Sequence, residues 1–168
     1  MICPNCGYDN LPGDESCKHC AMDLTQLDRP AAQNRLERTL MEDVVAALKP
    51  RQAVVARQDA AVGQVLDLML ASNLGALLIV DSAGRLCGIF SERDLLTRVA
   101  GVHSCWENVP VGEVMTRNPE TVSLTDSLAL ALQKMDVGGY RHLPVVEDGK
   151  PVGVISVRDM MRHLTKLC

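Results

Sequence analysis

The sequence is short of aromatic side chains. Its 168 residues include one tryptophan, two tyrosines and one phenylalanine, although 47% of the chain is hydrophobic. The core must therefore be built from Val, Leu, Ile, Ala and Met. A chain of this length suffices for one or two globular domains.

Long apolar runs are also missing, since none approaches the roughly 20 residues that a membrane-spanning helix needs. The first ten residues, MICPNCGYDN, lack the charged region and apolar stretch of a secretory signal. We therefore expect a cytoplasmic protein with no membrane segment. The net charge of −4 disfavours a mainly electrostatic nucleic-acid binder.

Catalytic motifs are absent as well. The sequence contains no GxxxxGK[ST] phosphate loop and no recognisable set of nucleophile, base and acid. Nothing indicates a zinc site with three protein ligands and an open position, the usual form of a catalytic zinc centre. We therefore expect no enzymatic activity.

Four of the seven cysteines fall within the first 20 residues. Cys3, Cys6, Cys17 and Cys20 have the spacing C-x2-C-x10-C-x2-C, and two such turns can place four thiolates around Zn²⁺. The other cysteines are scattered, which argues against a secreted disulfide framework. Because few apolar residues surround the thiols, one structural zinc ion would supply the folding energy. A rubredoxin-like iron site and a redox dithiol are the alternatives.

This segment resembles the short zinc-ribbons of many bacterial and archaeal proteins. Residues 1–29 contain two basic and five acidic side chains, and four thiolates around Zn²⁺ would add negative charge. An anionic knuckle binds phosphates poorly, so direct nucleic-acid binding is disfavoured. We expect a structural role or contact with a protein partner. The predicted boundaries are a zinc-ribbon at 1–24 and a linker with the start of a helix at 25–42.

Apolar residues recur at helical spacing after a hinge around Pro30. The stripe consists of Leu36, Leu40, Val44 and Leu48, with Met41 and Val45 alongside. This periodicity predicts one amphipathic helix that packs against the domain that follows.

From about residue 50 the chain repeats itself. GIFSERDLL at 88–96 returns as GVISVRDMM at 153–161. Each copy predicts a strand, a helix, two strands joined by a tight turn, and a closing helix. Two β-α-β-β-α copies predict a mixed α/β (α+β) fold, a pseudo-symmetric pair preceded by the small knuckle. The first repeat is assigned to 43–102, and the connector with the second repeat to 103–168.

Several predicted element boundaries are specific enough to test. In the first copy a helix covers 60–72, with Asp59 as its N-terminal cap, and a closing helix covers 92–100. In the second copy a strand at 120–123 precedes a helix from Thr125 to Val137. A last helix covers 157–167.

Each copy carries Ser-x-x-Asp at the start of its closing helix, as Ser91 and Asp94 and as Ser156 and Asp159. Taken alone, the pattern is typical of a capping box. The same geometry places a hydroxyl and a carboxylate beside free backbone N–H groups that attract anions. Ser could then hold a phosphate, and Asp could accept hydrogen bonds from ribose hydroxyls. The residues alone leave both interpretations open.

Residues 43–168 resemble a tandem pair of CBS domains, also called a Bateman module. The resemblance rests on VGEVMTRNPETVSLTDSLALALQKM, on YRHLPVVEDGKPVGVIS and on both Gly-h-h-Ser-x-x-Asp stretches, where h is apolar. It implies an adenosine-type ligand in the cleft between the repeats, with the two acids on ribose and the two serines near phosphate. It also implies a homodimer through the CBS helices.

The two copies differ in the residues that the resemblance assigns to the ligand. In the second copy these are Thr121, Val122, Arg141, His142, Leu143, Pro144, Ser156, Arg158 and Asp159. In the first copy they are Val55, Ser91, Arg93 and Asp94. The first copy lacks a basic group where the second has Arg141 and His142, so we expect the better nucleotide site in the second.

Three non-catalytic functions remain open from the sequence. A regulatory sensor would bind an AMP-, ADP- or ATP-like ligand and change how the module pairs with itself or with a partner. A constitutive scaffold would dimerise through the repeats and dock a protein through the zinc-ribbon. A transcription-linked regulator would place the ribbon on RNA polymerase or DNA, although its acidic charge disfavours DNA. We favour the sensor.

Overall fold

The computed structural model describes residues 1–25, 34–102 and 105–166. The predicted hinge around Pro30 lies outside these residues. The chain divides into two compact units, Met1–Asn34 and Arg35–Cys168.

Two matching turns build the first unit. The Gly7 N–H donates to the Cys3 carbonyl at 2.9 Å, and the Ala21 N–H donates to the Cys17 carbonyl at 2.8 Å. Both closing residues have left-handed backbone, with φ of 72° at Gly7 and 57° at Ala21. Leu24 is fully buried against the first cysteine of each turn. Each CxxC pair therefore opens a knuckle of the same shape.

The second unit contains two α/β halves, one formed by 55–99 and one by 106–165. It begins with α1 (Arg35–Glu42), a 3-10 turn (Val45–Leu48) and β1 (Arg51–Gln52). The first half consists of β2 (Val55–Arg57), α2 (Val62–Ala71), β3 (Ala76–Val80), β4 (Leu86–Ser91), α3 (Glu92–Asp94) and a π-helical turn (Leu95–Val99). The second half consists of a 3-10 turn (Trp106–Asn108), α4 (Val111–Val114), β5 (Thr116–Arg117), α5 (Leu128–Gly138), β6 (His142–Glu147), β7 (Lys150–Ser156) and α6 (Val157–Thr165). The predicted mixed α/β fold is confirmed.

Each half exchanges a strand with the other. The strand orders are β2-β3-β4-β5 and β1-β7-β6. Thus β1, which precedes the first half in sequence, pairs with β7 of the second half, and β5 pairs with β4 of the first. The cores follow the same exchange, because Val45 is buried in the second-half core while Val111 and Val114 are buried in the first-half core.

A glycine makes the β1–β7 contact possible. A Cβ added to Gly153 would lie 2.9 Å from the Pro50 Cβ and 3.0 Å from the Arg51 carbonyl oxygen. One contact is with the rigid proline ring and the other with backbone, so neither leaves room for a side chain. Gly153 therefore lets β1 lie directly against the second-half sheet.

The prediction of one helix through Leu48 is wrong. Helix α1 ends at Glu42, because the Asp43 carbonyl and the Val45 N–H hydrogen-bond to residues at the start of α5 and just before it rather than to α1. The Leu128 N–H donates to the Asp43 carbonyl at 2.9 Å, and the Val45 N–H donates to the Asp126 carbonyl at 2.8 Å. The stripe is split accordingly: Val45, Leu40 and Leu48 pack in the second-half core, while Leu36, Met41 and Val44 are exposed.

The prediction that Asp59 caps α2 is also wrong. The helix begins at Val62, whose N–H donates to the Val109 carbonyl at 2.9 Å, so a backbone group takes the place of a side-chain cap. Asp59 instead accepts two hydrogen bonds of 3.0 Å from Arg57. The guanidinium two residues away competes for the carboxylate and holds the pKa of Asp59 below its usual value.

Three other elements differ from their predicted extent or type. The strand at 120–123 is a single parallel bridge between Val122 and Val145. Helix α5 starts at Leu128 because the Ser127 hydroxyl caps it, accepting from the Leu130 N–H at 3.2 Å. The helix predicted at 92–100 is α3 continued by the π-helical turn.

Candidate functional site

The four N-terminal cysteines form one cluster. Their sulfur atoms all lie within 4.8 Å of one another, and the Cys3–Cys20 and Cys6–Cys17 sulfurs are each 3.6 Å apart. A tetrahedral ion with metal–sulfur bonds of about 2.3 Å separates its ligands by about 3.8 Å. The geometry thus fits a tetrahedral metal ion.

Amide groups beside Cys17 favour its thiolate form. The buried Asn10 side chain donates to the Cys17 sulfur at 3.6 Å and accepts from the Lys18 N–H at 3.0 Å, which ties the two knuckles together. Desolvation raises the pKa of Cys17, but hydrogen bonds from the Cys20 and His19 backbone N–H groups and from Asn10 outweigh it, so that this pKa falls to about 6. Sequence reasoning missed Asn10, since nothing in the Cys spacing marks it.

The second unit contains a cavity of about 600 Å³ between its two halves. The first half contributes Met69, Leu70, Asn73, Leu74, Gly75, Ala76 and Glu92. The second half and β1 contribute Arg51, Arg141, His142, Val154, Ile155, Ser156, Val157, Arg158, Asp159 and Arg162. A volume of this size is typical of small-molecule sites.

Both Ser-x-x-Asp stretches form capping boxes. In each, the Asp Oδ2 accepts from the Ser backbone N–H at 2.9 Å and from the Ser hydroxyl at 2.6 Å. The cap engages only one carboxylate oxygen. The function of each acid therefore depends on its other oxygen, Oδ1.

The two acids differ at Oδ1. In Asp94 this atom accepts a hydrogen bond from the Thr116 hydroxyl at 2.9 Å, and Arg98 lies 3.5 Å away. In Asp159, the partner of Oδ1 within residues 1–25, 34–102 and 105–166 is the Arg162 guanidinium, at 3.8 Å. The Asp94 side chain is 8% exposed and the Asp159 side chain 23% exposed. Of these two acids, Asp159 lines the cavity, and its Oδ1 is engaged only by the long contact with Arg162 within the described residues.

Arg98 closes the first-half site further. Its guanidinium donates to the Val114 carbonyl at 3.3 Å and to the Met115 carbonyl at 2.6 Å. Met115 packs over Gly88, where an added Cβ would meet its side chain. The segment 114–116 therefore occupies the space beside Asp94.

The cavity brings together five of the nine residues proposed for the second copy. These are Arg141, His142, Ser156, Arg158 and Asp159. The other four, Thr121, Val122, Leu143 and Pro144, do not line it. Val122 and Leu143 are buried in the second-half core. Val55 and Arg93 of the first copy also lie away from this cavity.

Sequence reasoning missed three charged residues of the cavity. Arg51 lies within the first repeat in sequence, and only strand exchange brings it to the second-half sheet. Glu92 arrives from the first half. Arg162 lies one helical turn beyond Arg158, a spacing that the helical pattern of 157–165 could have revealed.

The charge of the cavity is opposite to that of the chain. Four arginines line it, Arg51, Arg141, Arg158 and Arg162, against the two acids Glu92 and Asp159. The whole chain carries a net charge of −4. Arginine presents a planar fork of donors that suits phosphate, so the lining favours an anionic ligand.

His142 connects the two halves. Its ring lies 3.3 Å from the position that a Gly75 Cβ would occupy, so it packs against first-half backbone. Burial lowers the pKa of His142 from 6.5; Glu92 and Asp159 oppose this shift, while Arg141 and Arg158 add to it. The ring is therefore mostly neutral at pH 7.

Lowering the pH should destabilise the second unit through His142. The unfolded chain takes up the His142 proton near pH 6.5 and the folded chain only at lower pH, so the free energy of unfolding should decrease as pH falls through that window. His142→Asn should reduce the loss of Tm between pH 7.5 and 5.5, as followed by circular dichroism. His19→Asn in the first unit is the control. An unchanged pH dependence in His142→Asn would contradict the assignment.

Across the described parts of the chain, no helix combines the length and apolarity needed to cross a bilayer.

Comparison with known proteins identifies related sequences and folds. The family model for the CBS domain matches residues 43–101 and 111–166. The CBS domain-containing protein CBSCBSPB5 of Arabidopsis thaliana is 46% identical over 90 residues, which are 53% of this chain and 16% of that protein. This chain thus spans far less than two thirds of that relative.

Solved structures share the fold of the second unit. The CBS-domain containing protein ATU1752 from Agrobacterium tumefaciens is 31% identical with a TM-score of 0.65, over 71% of this chain and 97% of that one. CBSX2 in complex with AMP has a TM-score of 0.63, and the CBS domain pair of protein MJ0100 in complex with 5′-methylthioadenosine and S-adenosyl-L-methionine has a TM-score of 0.67. Both are 23% identical, over 74% of this chain and 98% of theirs.

Proposed function

Because the chain belongs to the CBS-domain family, we propose that its second unit is a regulatory module that binds one adenine nucleotide per chain beside Asp159. CBS-domain proteins are generally regulatory and non-catalytic. Adenosine-type ligands in the CBSX2 and MJ0100 structures support this class of ligand. The observation that carries the proposal is the open Oδ1 of Asp159 at a cavity lined by arginines.

The residues divide into two groups by chemistry. Asp159 would accept hydrogen bonds from the ribose hydroxyls through Oδ1. Arg158 at the start of α6, together with Arg141, would bind phosphate close to Ser156, whose own hydroxyl donates to Asp159. Thr121, Val122, Leu143 and Pro144, which the resemblance assigns to the ligand, do not line the cavity and have no part in this proposal.

The first-half site would remain empty. Both Asp94 oxygens are engaged within the chain, and 114–116 fills the adjacent space. Binding there would require breaking the Thr116 hydrogen bond and moving Arg98. Asp94 thus serves the fold.

For the first unit we propose one structural Zn²⁺ held by Cys3, Cys6, Cys17 and Cys20. The ion would supply the folding energy that so small a core lacks. Exposed Ile2 and Leu11, together with the acidic charge, suit contact with a protein partner. Iron in place of zinc would be revealed by metal analysis of the native protein.

We also propose that the module forms a homodimer in the cytoplasm. Exposed apolar side chains on α5 and α6 support a helical interface, among them Leu130, Val137 and Met161. Light scattering of the purified chain tests this directly. A monomeric mass at micromolar concentration would contradict the dimer.

Thermal unfolding of the metal-loaded chain with AMP, ATP, NAD and S-adenosylmethionine tests the sensor function. A ligand present at 100 times its Kd stabilises the folded state by about 2.7 kcal/mol, which raises Tm by several degrees. We expect such a shift with at least one of these adenosine compounds. An unchanged Tm with all four would contradict the sensor and favour the constitutive scaffold.

A further inference from the structure

Arg51 occupies a position that distinguishes the two halves. It lies opposite Val154 on β7, one residue beyond Gly153. The matching position in the first half is Thr116, opposite Ile89 on β4 and one residue beyond Gly88. Thr116 donates to Asp94 and closes that site, whereas Arg51 lines the cavity beside Asp159.

The arginines reach the cavity from several sides. Arg51 comes from β1, and Arg141 immediately precedes β6, which flanks the opposite edge of β7. Neighbouring strands are about 4.8 Å apart, so the two backbones are separated by about 10 Å. Arg158 enters from the first turn of α6. A chain of phosphates can engage such separated guanidinium groups in sequence.

The charges in the cavity favour more than one phosphate. Arg162 lies 3.8 Å from Asp159, while no ion pair involves Arg51, Arg141 or Arg158 within residues 1–25, 34–102 and 105–166. Glu92 enters the same cavity beside the His142 ring and offsets one of these positive charges. The three guanidinium groups lie at separate positions around the cavity, so together they can engage more than one phosphate.

We propose that the Asp159 cavity selects a nucleoside with at least two phosphates over the monophosphate, and that Arg51 binds the phosphate beyond the first. This inference rests on the nucleotide-binding function proposed above. Arg141 and Arg158 hold the first phosphate near Ser156. Arg51 therefore acts as a specificity-determining residue rather than as a general source of positive charge.

Isothermal titration calorimetry of the full, metal-loaded chain with AMP and with ADP tests this selectivity. One added set of charge-assisted hydrogen bonds should make ADP bind roughly 10- to 100-fold more tightly than AMP. Arg51→Gln should weaken ADP binding by that factor and leave AMP binding within about twofold. Arg51→Lys should retain part of the preference, because it keeps the charge but loses the planar fork.

Arg57→Gln is the matched control. It removes the same charge from another short strand, where the side chain is exposed and paired with Asp59 away from the cavity. Its affinities for AMP and ADP should equal those of the wild type, and the ligand-free Tm of each variant reports folding. If Arg51→Gln fails to fold, loss of part of the preference in folded Arg51→Lys supports the inference.

The outcomes separate this inference from the function beneath it. Equal or tighter binding of AMP by the wild type overturns the selectivity but leaves nucleotide binding intact. If Arg51→Gln loses AMP and ADP affinity equally, the role of Arg51 is overturned. The role is also overturned if both Arg51→Lys and Arg51→Gln keep the full preference for ADP. No binding of either nucleotide overturns the proposed function itself.

Discussion

Replacing Cys17 with serine is expected to unfold the first unit and to release its metal. Cys17 is buried and receives hydrogen bonds from Asn10 and from the His19 backbone, so its thiol is held in place within the four-sulfur cluster. Structural zinc contributes about 10–16 kcal/mol to such small domains, far more than the core around Leu24 can supply. Bound metal should fall from about one ion per chain to near zero, measured by inductively coupled plasma mass spectrometry. Amide exchange in residues 1–25 should become fast.

The control for this substitution is Cys105→Ser. Cys105 is exposed and lies outside the four-thiol cluster, so this variant should keep its metal. The Tm of the second unit should be unaltered in both variants, because its buried clusters consist of its own residues. A full equivalent of metal in Cys17→Ser would contradict the four-cysteine site.

Replacing Asp159 with asparagine should abolish most nucleotide binding. The ribose would lose a charged acceptor for two hydrogen bonds, each worth about 1.5–3 kcal/mol, so the Kd should rise by about 100-fold or more. The effect on the free energy of unfolding should be smaller, because Oδ1 of Asp159 is open to the cavity. Calorimetric titration and thermal unfolding of the same preparations separate the two effects.

Asp94→Asn is the matched variant at the equivalent position of the first half. The wild-type Asp94 carboxylate accepts hydrogen bonds from Ser91 and Thr116 in a buried environment. An amide at this position leaves some of these donors without an acceptor. The cost should be about 1–3 kcal/mol of stability, while the Kd should stay within about twofold of the wild type. Equal losses of affinity in the two variants would show that both acids bind ligand.

The local patterns predicted what depends on local geometry. The echo of GIFSERDLL set the register of the two halves, and both Ser-x-x-Asp stretches form the capping box that three-residue spacing predicts. The cysteine spacing likewise placed four sulfurs within reach of one ion. These features depend on residues close together in sequence, where backbone geometry dictates the contacts.

Contacts between distant segments produced the errors and omissions. The break in α1 arises from backbone bonds between Asp43 and Leu128, and the cap of α2 is the Val109 carbonyl. Neither contact leaves a trace in the periodicity of the helices themselves. Arg51 escaped notice because strand exchange moves it to the other half.

The sequence and the structure both distinguish the Asp159 site from the Asp94 site, but for different reasons. The sequence favoured the second copy because Arg141 and His142 have no basic counterparts in the first. The structure adds that Thr116, 22 residues beyond Asp94, occupies the oxygen that a ligand would need. Thr116 belongs to the following repeat and reaches Asp94 only because the two halves pair. The sequence of either repeat alone therefore does not reveal this contact.

The number of nucleotides bound per chain tests the central claim most directly. Calorimetric titration should use the metal-loaded protein and whichever adenine nucleotide raises its Tm most. We expect one molecule per chain for the wild type and for Asp94→Asn, and affinity weakened by about 100-fold or more for Asp159→Asn. Two molecules per chain, or wild-type affinity in Asp159→Asn, would contradict a single site at the open carboxylate of the second half.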